Sequence, residues 1–147
     1  MVEQAITLNP NLAIAWYSRG WVSLMCGELQ RSIVSFDRMI RLSPVDPLRI
    51  GALMGSSLAF FGLGRYEEGY LAGSEAIQFR GDAQSLGGYI INSVRSGKSS
   101  EARNAVMQLL ELEPDFRASY AHEAYPMRSP DERNRIVAAL RDAGLPE

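Results

Sequence analysis

Pro10 and Pro44 stand 34 residues apart, and the positions between them follow a frame of that length. Trp16, Gly20, Gly27, Phe36 and Pro44 occupy its fourth, eighth, fifteenth, twenty-fourth and thirty-second places. Gly27, Gly64 and Gly97 mark successive periods. Self-similarity at this spacing constrains the chain more than any other property. A unit so short cannot bury its own apolar face, so neighbouring units must stack in a row.

Within each period the pattern is helix, turn, helix. Asn11 can cap a helix running from Leu12 to about Cys26, because its side-chain oxygen can accept from an unpaired amide of the first turn. Gly27 supplies the turn. A second helix spans Leu29 to Leu42, with Ile33, Phe36 and Ile40 at the three-and-four spacing of one buried face. Pro44 closes the unit, since proline disfavours helical geometry in the residue before it.

The second unit is longer, with 37 residues from Gly27 to Gly64. The extra length is expected as one added turn at the helix start, where Asp46 caps and Pro47 takes the first helical position. That helix is expected over Pro47–Phe61 and its partner over Arg65–Arg80, ending at Gly81. Glycines lie four apart in both, Gly51 with Gly55 and Gly69 with Gly73. Each costs about 1 kcal/mol of helix propensity. Close backbone approach between packed helices is one reason for them, and a softened, flexing repeat is another. The third unit pairs Ala83–Ser96 with Ser99–Leu112, joined by Gly97 and closed by Pro114.

The places held by Trp16, Gly20, Gly27, Ser32, Phe36 and Pro44, and by Gly97, Ala102, Val106 and Pro114, resemble the tetratricopeptide repeat. So does the turn Gly64-Arg65-Tyr66-Glu67-Glu68. The resemblance implies an all-α chain, a right-handed α-solenoid with three repeats over residues 11–44, 45–81 and 82–114. Ala5 and Pro10 stand at the twenty-seventh and thirty-second places of a preceding unit. Residues 1–10 therefore read as the end of a truncated repeat, and the chain as the C-terminal piece of a longer protein. Residues 115–147 read as a partial repeat and a capping helix. Ser129-Pro130-Asp131-Glu132 is a capping box with proline at the first helical position. The helix it opens should run to about Asp142 and stop at Gly144 and Pro146.

Composition removes several functions. A net charge of −2 leaves no basic footprint for nucleic acid. Residues 1–8 carry Glu3 and lack the apolar segment of a signal peptide. The nearly uncharged stretch Ile50–Leu63 is too short to span a bilayer, so a cytoplasmic location and no membrane insertion are expected. Cys26 is the single cysteine, which rules out an internal disulfide, and it reads as a small buried residue of an apolar run. His122 is the single histidine and reads as a surface or packing residue.

No constellation for chemistry emerges. Gly97-Lys98-Ser99 looks like the tail of a phosphate-binding loop, but Asn92 holds the place of its first glycine and a helix precedes it. Gly62-Leu63-Gly64 begins like a dinucleotide fingerprint, but Glu67 holds the third glycine's place. No serine, aspartate or glutamate is arranged as nucleophile, base and orienting group. The expectation is no catalytic residue, no metal site and no cofactor.

A surface is the better candidate. The resemblance implies that the first helix of each repeat lines a concave groove. This places Tyr17, Trp21 and Leu24 there from the first repeat, Met54, Leu58 and Phe61 from the second, and Gln84, Ile91, Val94 and Arg95 from the third. Tyr, Trp, Met and Arg are the types that dominate binding surfaces. Two readings stay open: an open groove for a protein or peptide partner such as an amphipathic helix, or residues packed between helices and under the chain's own C-terminal helix. The carboxylate clamp of chaperone-binding relatives is not expected, since Lys98 lies in a turn. A homo-oligomer is expected if an apolar stacking face is left exposed.

A narrower resemblance lies in Pro114-Asp115-Phe116, Tyr125-Pro126 and the closing Ala143-Gly144-Leu145-Pro146-Glu147. These look like the C-terminal repeat region of bacterial class III adenylate or guanylate cyclases and of related winged-helix regulators. That implies an upstream catalytic or DNA-binding domain, which the repeats would regulate. An independent scaffold or cochaperone-like adaptor is the alternative.

Overall fold

A computed structural model describes residues 1–147. It contains nine α-helices, one 3-10 turn and no strand. In chain order these are α1 (Val2–Leu8), α2 (Ala13–Met25), α3 (Leu29–Leu42), α4 (Leu48–Gly62), α5 (Tyr66–Phe79), α6 (Ala83–Arg95) and α7 (Ser99–Leu112). A 3-10 turn (Ala118–Tyr120), α8 (Ala121–Ala124) and α9 (Pro130–Asp142) complete the chain. Helices pair as α2 with α3, α4 with α5 and α6 with α7, and α9 packs on α6. The result is an α-solenoid of stacked hairpins.

The turn glycines do the same job at every hairpin. Gly27, Gly64 and Gly97 have φ of 80°, 75° and 80°, a left-handed conformation that costs glycine little. Beyond each, an amide reaches back to the preceding helix: Glu28 N to Ser23 O, Arg65 N to Phe60 O and Lys98 N to Ser93 O, at 2.8, 2.9 and 2.8 Å. These satisfy carbonyls that a helix end leaves unpaired. Gly144 ends α9 in the same way, with Leu145 N on Leu140 O at 3.0 Å.

Within a hairpin the two helices touch through small residues. Ser32 Oγ donates to Gly20 O at 2.9 Å, and Ser57 Oγ donates to Gly69 O at 3.0 Å. Between hairpins, side chains fill space that glycines leave. A Cβ on Gly55 would overlap the Phe36 ring, one on Gly69 the Asn92 amide, and one on Gly73 would stand 2.9 Å from Tyr89 Cα. The glycine pairs are therefore sites of close approach. One apolar core runs from Leu24 and Leu29 through Leu58, Phe61, Leu86 and Ile90 to Ile136, Leu140 and Leu145. A smaller cluster holds Phe36, Met39 and Ala52.

Three local expectations change. Leu12, not Asn11, is the cap position of α2, and its side chain has no acceptor to make a cap bond; the Asn11 backbone N–H donates to Asn9 Oδ1. α4 begins at Leu48 rather than Pro47, although Asp46 does cap it, accepting from Leu48 N at 2.8 Å. Cys26 is exposed, not buried. It follows the last turn of α2, where the chain swings outward into Gly27, and no neighbouring helix covers it.

Candidate concave cleft

The groove residues fall into two groups. Leu24, Leu58, Phe61 and Ile91 lie in the core, each 3% exposed or less. The C-terminal region covers Leu58 and Phe61. Ile136 of α9 and Met127 face Leu58 and Phe61 across a narrow crevice. Arg135 donates to Gly62 O at 3.1 Å and Phe61 O at 3.2 Å, and its guanidinium stands 5.3 Å from the Phe61 ring centre. These carbonyls belong to the C-terminal end of α4, where a cation meets the negative end of the helix dipole. Arg95 pairs with Asp142 at 2.6 Å, tying α6 to the other end of α9.

Tyr17, Trp21 and Met54 form the second group and line an open cleft of about 390 Å³. α4 contributes Leu48, Ile50 and Gly51 beside Met54, and Leu58 lies at its inner end. The junction of α5 and α6 contributes Arg80, Asp82 and Gln84, and the segment after α8 contributes Ala124, Tyr125 and Pro126.

Aromatic packing holds the α2 wall. The Tyr17 and Trp21 rings meet edge-on with centres 6.3 Å apart, and both rest on Phe36, at 6.2 and 5.5 Å. Phe36 is fully buried on α3, so these rings stand on a fixed base. Gly51 has no side chain where the Tyr17 hydroxyl sits, and Gly87 has none where the Tyr125 hydroxyl sits. Burial pushes the Tyr125 phenol well above its ordinary value, keeping it neutral. The Trp21 indole N–H is buried without an acceptor.

The rim is polar and self-neutralised. Arg80 Nε meets Asp82 Oδ2 at 2.8 Å, while Asp82 Oδ1 caps α6 by accepting from Ser85 N at 2.9 Å. The arrangement can hold an apolar or aromatic side chain against two fixed rings. No group of three His, Cys, Asp or Glu side chains is placed to hold a metal ion. No helix is long and apolar enough to cross a membrane.

Sequence reasoning missed Gly51, Tyr125 and Pro126 as parts of this cleft. Gly51 carried a signal, as one of two glycines four apart on a groove-lining helix. Tyr125 and Pro126 carried none for this role, because they reach the cleft through a non-repeating tail.

No family model matches the chain, and no curated protein matches it in sequence. The comparison with solved structures is positive. The crystal structure of MamA superposes with a TM-score of 0.74 at 17% identity, covering 97% of this chain and 82% of that one. A MamA RS-1 double mutant gives 0.73 at 13% identity, covering 97% and 79%. At such identities the likeness is one of fold, and the chain is a tetratricopeptide-type α-solenoid.

Proposed function

We propose that the chain is a non-catalytic protein-binding module and that the cleft between α2 and α4 is where it takes hold of a partner. The carrying observation is the pair of rings, Tyr17 and Trp21, fixed edge-on over Phe36 beside an open apolar cleft. Rings already held in place lose little freedom on binding, which lowers the cost of association. A helix or short segment presenting one aromatic or aliphatic anchor is the occupant, with its polar flank near Arg80 and Asp82. In this reading Leu24, Leu58, Phe61, Ile91 and Arg95 support the cleft from behind or hold α9. Of these only Leu58, at the inner end of the cleft, meets the partner's anchor.

The test is selection of binders from a displayed peptide library on the full chain, followed by amide and methyl NMR mapping. Shifts centred on the Trp21 indole and the Met54 methyl, and loss of binding in Met54→Glu, support the cleft. Binders that shift other residues, or that tolerate Met54→Glu, remove this reading.

The tail that resembles the cyclase and winged-helix regulators adds a finer proposal: the module regulates an output domain on the same polypeptide, in the cytoplasm of a bacterium. Its support is that the resembling residues are structural parts of the cap. Ala118 N donates to Pro146 O at 2.7 Å, and Ala143 and Leu145 are buried. The reading frame upstream of Met1 in the genome tests it. A cyclase or winged-helix domain there supports regulation in cis, and a stop codon there leaves the independent adaptor.

A further inference from the structure

The cleft beside α2 is rich in hydrogen-bond donors and poor in acceptors. Its α2 wall carries the Trp21 indole N–H, buried without an acceptor, and the Tyr17 hydroxyl, which has no hydrogen-bond partner in the chain. At the rim Arg80 spends its Nε on Asp82, and its side chain is 68% exposed with the outer nitrogens free. The one carboxylate, Asp82, has both oxygens engaged, by Arg80 and by the Ser85 amide. Gln84 and the Tyr17 hydroxyl can act in either sense. Pro47 and Pro126 add rings and no N–H.

Taking the cleft as the site of binding, on which this rests, we propose that its occupant is an extended, proline-rich protein segment in the polyproline II conformation. Hydrogen-bond chemistry selects it. An extended segment of other residues brings one N–H per residue, and each that enters without an acceptor costs roughly tenfold or more in affinity. Proline brings no N–H, while the carbonyls on either side of its ring still accept. A helix fails on the other side. Its N–H and C=O groups are paired with each other, so its backbone offers Trp21, Tyr17 and Arg80 no acceptor.

Shape agrees. Tyr17 and Trp21 meet edge-on with centres 6.3 Å apart and rest on Phe36, so both rings are in place before the partner arrives. Polyproline II is likewise set in advance, without internal hydrogen bonds, and packs on aromatic side chains at low entropic cost. The cleft holds about 390 Å³. One helical turn with its side chains fills roughly 400–600 Å³, so a helix presents one face where an extended segment enters whole.

The chain's own tail shows that this side of the solenoid accepts such a segment. Tyr125 is extended, with φ −106° and ψ 135°, and Pro126 follows it. The Tyr125 hydroxyl fills the hollow at Gly87, and both residues line the cleft. A partner segment laid beside them continues a Tyr-Pro wall already in place.

NMR titration of the full chain with two blocked peptides, decaproline and an alanine-rich decapeptide, tests this. Decaproline should shift the Trp21 indole N–H and the Met54 methyl, and should bind at least roughly tenfold tighter than the alanine peptide. Tyr17→Phe keeps the ring and removes the hydroxyl, so it should weaken decaproline binding roughly three- to tenfold. Decaproline that binds no tighter than the alanine peptide, or that shifts residues outside the cleft, overturns the proposal. An unchanged affinity in Tyr17→Phe with an unshifted Trp21 indole overturns it too, since the donors would then be idle. Library binders that map to Trp21 and Met54 but lack proline overturn the proline assignment and leave the cleft standing. Binders that map elsewhere remove the cleft and the assignment with it.

Discussion

The Tyr17 hydroxyl rests directly on Gly51, so close that a Cβ there would overlap it. This contact joins α2 to α4 at the floor of the open cleft. Alanine at position 51 gains about 1 kcal/mol of helix propensity over glycine, and the obstacle is the far end of a side chain that can swing aside. Gly51→Ala should therefore leave the melting temperature nearly unchanged while displacing Tyr17 and narrowing the cleft. Trp21 fluorescence reports the displacement, since the rings are 6.3 Å apart. Peptide affinity should fall in Gly51→Ala and recover in part when Tyr17→Phe is added.

Gly73 gives the opposite result for a physical reason. A Cβ there stands 2.9 Å from Tyr89 Cα and 3.1 Å from its amide nitrogen. Backbone inside a packed helix cannot swing away, so α5 and α6 must separate. Overpacking of this kind costs about 1–3 kcal/mol, which outweighs the gain in helix propensity because the backbone must move. Gly73→Ala should lower the melting temperature by roughly 3–10 °C for a chain of this size. A melt equal to that of the wild type would show that α5 and α6 slide past each other freely.

Asn92 ties α6 to α4. Its Nδ2 reaches Ser57 O at 3.1 Å, Ser57 Oγ at 3.0 Å and Gly88 O at 2.9 Å, while its Oδ1 is buried without a donor. Removing the amide breaks three contacts and leaves a small cavity. It also removes the unpaired oxygen, and Ser57 Oγ keeps its bond to Gly69 O. The offsets hold the loss in Asn92→Ala to about 1–2 kcal/mol. Denaturant unfolding at constant slope checks this. A loss far above that range would mean that the three bonds act cooperatively.

Two tyrosines set the alkaline limit. Burial, and then the neighbouring Tyr70 hydroxyl, push the Tyr89 phenol up to about 12, while burial alone pushes Tyr125 higher still. A phenol whose folded value lies above its unfolded value near 10 holds its proton more tightly when folded. Its contribution to stability is complete below pH 10 and declines as pH rises from there through the folded value. The chain should lose stability progressively from pH 10 to pH 12. Spectrophotometric titration should show two late tyrosines, and Tyr125→Phe should flatten the decline. An unchanged slope in Tyr125→Phe would remove Tyr125 from this account.

Most of the helices are legible in the residues because their signals are local. Gly27, Gly64 and Gly97 announce left-handed turns within one helix length of the residues they terminate. The capping box at Ser129–Glu132 opens α9 as expected, with Ser129 Oγ accepting from Glu132 N. The groove is less legible. Leu24 and Phe61 have the same helical spacing as Tyr17 and Met54, yet Leu24 and Phe61 are buried while Tyr17 and Met54 line the open cleft. Nothing in α2 or α4 separates the two pairs. For Phe61 the cover is α9, which lies more than 60 residues further along the chain.

By itself the sequence determined the repeating hairpin and the places of its turns. Those depend on backbone preferences and on spacing within one period. Only the tertiary structure decided which part of the groove stays open and that Tyr125 and Pro126 wall it. Those depend on how a non-repeating tail folds back over repeating helices, and burial by a distant segment leaves no mark on the residues it covers.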